Sequence, residues 1–138
     1  MNSIVVIMVI GILILGFVML GIMAATRKKS PGLDVEAFRS KWLKIEASII
    51  DDEASCHLAI LNADKLLGAA LQARGFSGQT MGERMKSARS TFSNNNAVWA
   101  AHKLRNQIAH EPDVSVKPKT ARYALKAFKQ ALKDVGAL

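Results

Sequence analysis

The chain has 138 residues, 19 of them basic and 11 acidic, for a formal net charge of +8, and half of its residues are hydrophobic. That length leaves room for one folded unit beside any membrane segment, since a domain takes about 100–150 residues. A lone cysteine, Cys56, excludes an intramolecular disulfide and a multi-cysteine metal site. No metal or other cofactor is expected, and Cys56 reads as a small core residue on a helix.

From Ile4 to Ala25 every residue is apolar or glycine. At about 1.5 Å per helical residue the run matches a hydrocarbon layer of about 30 Å, which predicts a transmembrane helix over residues 4–25. A cleaved signal peptide fits less well: Met1–Ser3 carries no basic residue, the run is too long for a signal core, and no A-x-A pattern marks a cut. Arg27, Lys28 and Lys29 follow the run as its membrane flank, and basic flanks stay on the cytoplasmic side. The expectation is therefore a single pass through the inner (plasma) membrane. Residues 1–3 would form a short extracytoplasmic N-terminus and residues 34–138 a cytoplasmic domain. Gly11, Gly16 and Gly21 recur every five residues and do not form a GxxxG dimer seam. Residues 26–33 make a short linker broken by Ser30, Pro31 and Gly32.

The soluble part reads as helices in series. Asp34 is a good N-cap, and Phe38, Trp42, Ile45 and Ile49 form one helical stripe. Asp51, Asp52 and Glu53 suit the positive end of a second helix, whose expected buried face is Leu58, Leu61, Leu66, Leu67 and Ala70 and whose stop is Gly75. Thr80 and Glu83 form a capping-box pattern that opens a third helix through about Phe92. A fourth runs from about Ala97 to His110 and ends before Pro112. A fifth runs from about Lys119 to Val135 and stops at Gly136. No segment alternates with period two for long enough to argue a strand. The expected fold class is all-α: the transmembrane helix followed by a compact four- or five-helix bundle.

Charge is unevenly spread. Residues 27–64 hold six basic and seven acidic side chains, whereas residues 65–138 hold thirteen basic and four acidic. On the fifth helix Arg122, Lys126, Lys129 and Lys133 fall within about 60° of one another, and Ala121, Leu125, Phe128 and Leu132 occupy another face. Such a face can follow a nucleic-acid backbone, rest on an anionic membrane, or simply be solvated.

The segment from Ala101 to Glu111 has the most chemical content. Ala97, Ala101, Leu104 and Ile108 make an apolar stripe, while His102, Asn106 and His110 step round another side and Arg105 borders the apolar arc. Histidine can exchange a proton with a ribose hydroxyl near neutral pH, and arginine can hold phosphate oxygens as charge builds on them. On a regular helix Arg105 and His110 would lie about 140° apart. They converge only if the helix frays near Pro112 or a partner subunit closes the site. The alternative is that Arg105 and Asn106 bond within the bundle and His110 caps a helix end. His102 is read as an exposed polar residue, His57 as structural, and Trp99 as packing in the core or a dimer seam.

Arg105-Asn106 followed by His110 resembles the Arg-x4-6-His motif of the HEPN superfamily, over roughly Asp34 to Leu138. The segments around Asp64-Lys65-Leu66-Leu67, Thr80-Met81-Gly82-Glu83 and His102–Glu111 are also similar to uncharacterised single-span bacterial membrane proteins. The resemblance implies a helical bundle that forms homodimers and engages RNA, in many members as a metal-independent endoribonuclease. His110 would then be the general acid/base, Arg105 the phosphate clamp and Asn106 the residue that orients them. The different reading is a non-catalytic helical interaction module, a dimerising scaffold held at the membrane.

Overall fold

The computed structural model describes residues 2–25 and 32–138, and within them the chain is helical with no strand. Helix α1 (Ser3–Ala25) is long and apolar enough to cross a membrane, and its span buries nothing against the rest of the chain. The expected flank of Arg27, Lys28 and Lys29 lies outside the described residues. Five helices form the bundle: α2 (Val35–Ala47), α3 (Glu53–Ala73), α4 (Met81–Ser87), α5 (Asn95–His110) and α6 (Pro118–Asp134).

Helix α3 is central, packing against α2, α4, α5 and α6. Its inward side is built on small residues. Cys56, Ala59, Ala63 and Ala70 are fully buried beside Ile60, Leu67 and Leu71, and across from them α6 presents Ala121, Phe128 and Leu132. Alanines at these positions let helix backbones approach closely. Leu58, expected on the buried face, is 54% exposed, and Leu61 is only half-buried. Cys56 lies in the core, where burial pushes its thiol up, and the nearby Asp52 and Asp51 carboxylates push it further. It is thus kept as an unreactive thiol. Every buried core residue falls between Phe38 and Ala137, so the bundle has its own complete core without α1.

Helix ends follow local chemistry. The side chains of Asp34, Asp52, Thr80 and Asn94 each accept a backbone N–H in the first turn of the helix that follows. Glu83 closes the capping box on α4, its Oε2 accepting from Thr80 N at 3.5 Å and, more tightly, from Gln79 N at 2.7 Å. Helix α4 ends at Ser87, earlier than expected, and the chain continues in turns that carry Phe92 into the core. Helix α5 starts at Asn95 because Asn94 is its cap. Helix α6 starts at Pro118, whose missing N–H is harmless in a first turn.

Four long-range hydrogen bonds at three places hold the ends of the bundle. Glu53 Oε1 accepts from Val116 N at 3.1 Å, pinning the α5–α6 connection to the start of α3. Arg74 Nε donates to the Val135 carbonyl at 2.6 Å, which joins the far ends of α3 and α6. The chain can pass Arg74 there because Gly136 has φ +74°, and a Cβ at that position would meet the guanidinium. Asp134 Oδ2 accepts from both Ser93 N and Ser93 Oγ at 2.8 Å. Burial pushes the Asp134 carboxyl up, but the hydrogen bonds from Ser93 and Gln130 outweigh it and hold the group below the ordinary carboxylate range.

Candidate functional site

Asp64 sits on the inward face of α3, flanked at helical spacing by the buried Ile60 and Leu67, and is 4% exposed. An ionised carboxylate at a core position is costly unless it is paired and hydrogen-bonded. Helix α5 supplies both partners. His102 Nδ1 lies 2.7 Å from Asp64 Oδ1, and Arg105 Nε lies 3.3 Å from Asp64 Oδ2. The second contact pairs the charges, but its N–H is not aligned for a hydrogen bond.

Asn106 closes the ring. Its Oδ1 accepts from Arg105 Nη1 at 3.0 Å, and its Nδ2 lies 3.3 Å from His102 Nε2. These contacts determine the proton arrangement. The guanidinium can only donate, so the amide oxygen faces it and the amide nitrogen faces the imidazole. An amide nitrogen can only donate, so His102 Nε2 accepts and its Nδ1 carries the proton to Asp64. The carboxylate, imidazole, amide and guanidinium thus form one connected set, joined by hydrogen bonds except at the Arg105–Asp64 ion pair. The rings of Trp99 and His102 meet in a T-shaped arrangement, centroids 6.0 Å apart at 83°, and the far end of the Trp99 ring lies near Gly82 of α4.

The structure brings Arg105 and Asn106 together and adds His102 and Asp64. His102 is therefore a buried network member rather than the exposed polar residue expected. His110 is not part of the set. It is the last residue of α5 and is exposed. The helix does not fray to bring it round, because Glu111 N still bonds to Gln107 O at 2.8 Å in the helical pattern. Arg105 shares the azimuth of the buried Val98 and Ala101, and His110 is about 140° away from it. Arg105 is nevertheless open at one edge. Its side chain is 34% exposed, and Nη2 makes no hydrogen bond among the described residues.

On α6 the four expected basic residues separate into two kinds. Arg122 pairs with Asp51 and Lys129 with Glu46, each at 2.5 Å. The Lys129 hydrogen bond holds the Glu46 carboxyl below its ordinary range. Lys126 and Lys133 are exposed and make no ion pair among the described residues. The neutralising acids come from α2 and the turn before α3. Beside this ridge an open groove of about 510 Å³ runs between α5 and α6, its lining including Ala97, Ala100, Leu104, Tyr123, Ala127 and Ala131. Among the described residues no three of His, Cys, Asp or Glu are grouped to hold a metal ion.

Compared with protein-family models, with curated proteins and with solved structures, the chain matches none. The fold and site define an all-helical bundle with an N-terminal helix able to span a membrane and a polar lock between α3 and α5.

Replacing Asp64 by alanine strands the Arg105 charge and the His102 Nδ1–H against the core. Because Arg105 is partly solvated, the expected cost is about 2–3 kcal/mol, below the figure for a fully buried pair. Urea denaturation of residues 32–138 checks this, with the exposed Asp113→Ala as a control expected to change little.

Proposed function

We propose that the chain is a single-pass membrane protein, N-terminus out, whose cytoplasmic HEPN-like helical domain works by binding, as a dimeric interaction module, rather than by catalysis. The observation that carries this reading is the inward pairing of Arg105 with Asp64 while His110 leaves the other side of a regular helix. An acid/base residue and a phosphate clamp must converge on one reacting group, and within one chain these two do not. The charge pattern around Arg27–Lys29 supports the orientation.

The α5–α6 groove is the surface suited to a second copy. An isologous contact needs a self-complementary patch. Pairing two α6 helices antiparallel about Ala127 places each Tyr123 opposite the partner's Ala131 and each Thr120 opposite the partner's Asp134. That sets a large side chain against a small one and a hydroxyl against a carboxylate. Tyr123 is 64% exposed in the single chain, so such pairing would also cover its ring. Sedimentation equilibrium of the full chain in detergent is expected to give a dimer for the wild type and a monomer for Tyr123→Asp. A wild type that stays monomeric at every concentration contradicts the dimer.

One observation favours a second reading, RNA cleavage at a site completed across the dimer. The open Nη2 edge of Arg105 and the exposed His110 ring both remain available to a ligand or a second subunit. His110→Ala is the clean variant, because Arg105→Ala would also unpair Asp64. With EDTA present the binding reading expects RNA to stay intact with wild type and His110→Ala alike. Cleavage by the wild type that falls about a hundredfold or more in His110→Ala would establish the ribonuclease instead.

A further inference from the structure

We infer that the outer ridge of α6 is a second membrane contact, which lays the domain on the anionic phospholipid surface of the bilayer that holds α1. The inference rests on the reading of α1 as an anchor and goes beyond it. Lys119, Lys126 and Lys133 are seven residues apart, so they line up along α6 with a drift of only about 20° per step and a spacing of about 10 Å. All three are exposed and free of ion pairs among the described residues, in contrast to Arg122 and Lys129 just beside them. The ridge is thus a straight row, about 20 Å long, of lysines outside any ion pair, with Lys133 near enough to Glu46 to help hold that carboxyl low.

What flanks the row distinguishes it from an ordinary solvated face. On one side lies the alanine-lined α5–α6 groove with Tyr123, whose ring Lys119 approaches to 6.0 Å from its centroid. On the other lies a shallow depression of about 380 Å³, lined by Trp42, Ile49 and Leu125 together with Arg122 and the Glu46–Lys129 pair. The row stands at the rim of the groove that the second copy would cover, so its ammonium groups stay free to meet the phosphates of a headgroup layer. Single-stranded nucleic acid would call for successive aromatic platforms, and the ridge has one tyrosine.

The topology also brings the ridge toward the bilayer. Lys129 reaches Glu46 and lies over the Trp42 ring, while Arg122 reaches Asp51, so α6 runs antiparallel to α2. The C-terminal half of α6 therefore lies toward the start of α2, where the chain arrives from the anchor. The eight residues 26–33 can span at most about 28 Å, so the domain is held near the surface and a weak contact is raised by high effective concentration. In the antiparallel dimer both ridges face the same side, since the twofold axis is normal to the plane that the two α6 helices share.

Amine acetylation of the full chain in nanodiscs tests this, with phosphatidylglycerol-containing discs set against pure phosphatidylcholine. Labelling of Lys119, Lys126 and Lys133 is expected to fall about tenfold on the anionic discs and to recover in high salt. The exposed Lys86 and Lys103 should be unaffected. Equal lysine labelling on both discs overturns the inference, as does protection produced equally by single-stranded RNA on neutral discs. A chain that fails to enter either disc refutes the anchor, and the ridge contact falls with it.

Discussion

The arrangement depends on one buried charge. Asp64 stands on the inner face of the central helix, and water cannot reach it to solvate it. Its two oxygens must be answered from within, and α5 is the helix that answers, through His102 and Arg105. Ion pairs of this kind add little net stability over an apolar core, because desolvation cancels most of the attraction. Their effect here is geometric. A leucine in place of Asp64 would accept several rotations of α5, whereas the carboxylate accepts the one that presents both Nδ1 of His102 and the guanidinium. Asn106 then ties those two groups to each other.

That rotation determines what α5 shows to solvent. With Val98, Ala101 and Arg105 turned to α3, the side carrying Ala97, Ala100 and Leu104 faces the groove beside α6, and His110 is left outside. The motif that draws attention in the sequence is therefore divided by the fold: the arginine serves the core, and the histidine serves the surface. The α6 helix repeats the theme. Acids brought by α2 and the turn before α3 take up Arg122 and Lys129, and the remaining lysines form a narrow ridge instead of a broad basic face.

Features set by local chemistry could be read from the sequence, and features set by distant partners could not. The apolar run of α1, the helical stripe of Phe38, Trp42 and Ile45, the Thr80–Glu83 box and the stop before Pro112 each depend on residues a few positions apart, and all are present. The buried side of α3 was harder to see, because alanines rather than leucines mark where the neighbouring helices come close; Leu58 is apolar enough for a core but points to solvent. Asp64 and His102 are 38 positions apart, and nothing local links them. One signal was present: an acid at helical spacing between Ile60 and Leu67 interrupts an otherwise apolar face, and a buried acid needs a cation or donor from another element. His102, one turn before Asn106 and three residues before Arg105, is where that donor could have been sought. The ion pairs of Arg122 and Lys129 were hidden for the same reason, since their acids lie 71 and 83 positions away.

The most direct test of this account is the protonation pattern of the His102 ring, read by ¹⁵N NMR of the labelled domain at neutral pH. The Asp64–His102–Asn106–Arg105 ring requires the proton on Nδ1, a bare Nε2, and a scalar or exchange-protected link from Nδ1–H to the Asp64 carboxylate. A proton on Nε2 with Nδ1 bare would mean that His102 does not donate to Asp64 and that the amide of Asn106 is reversed. That would contradict the account, since the buried carboxylate would then be answered by Arg105 alone.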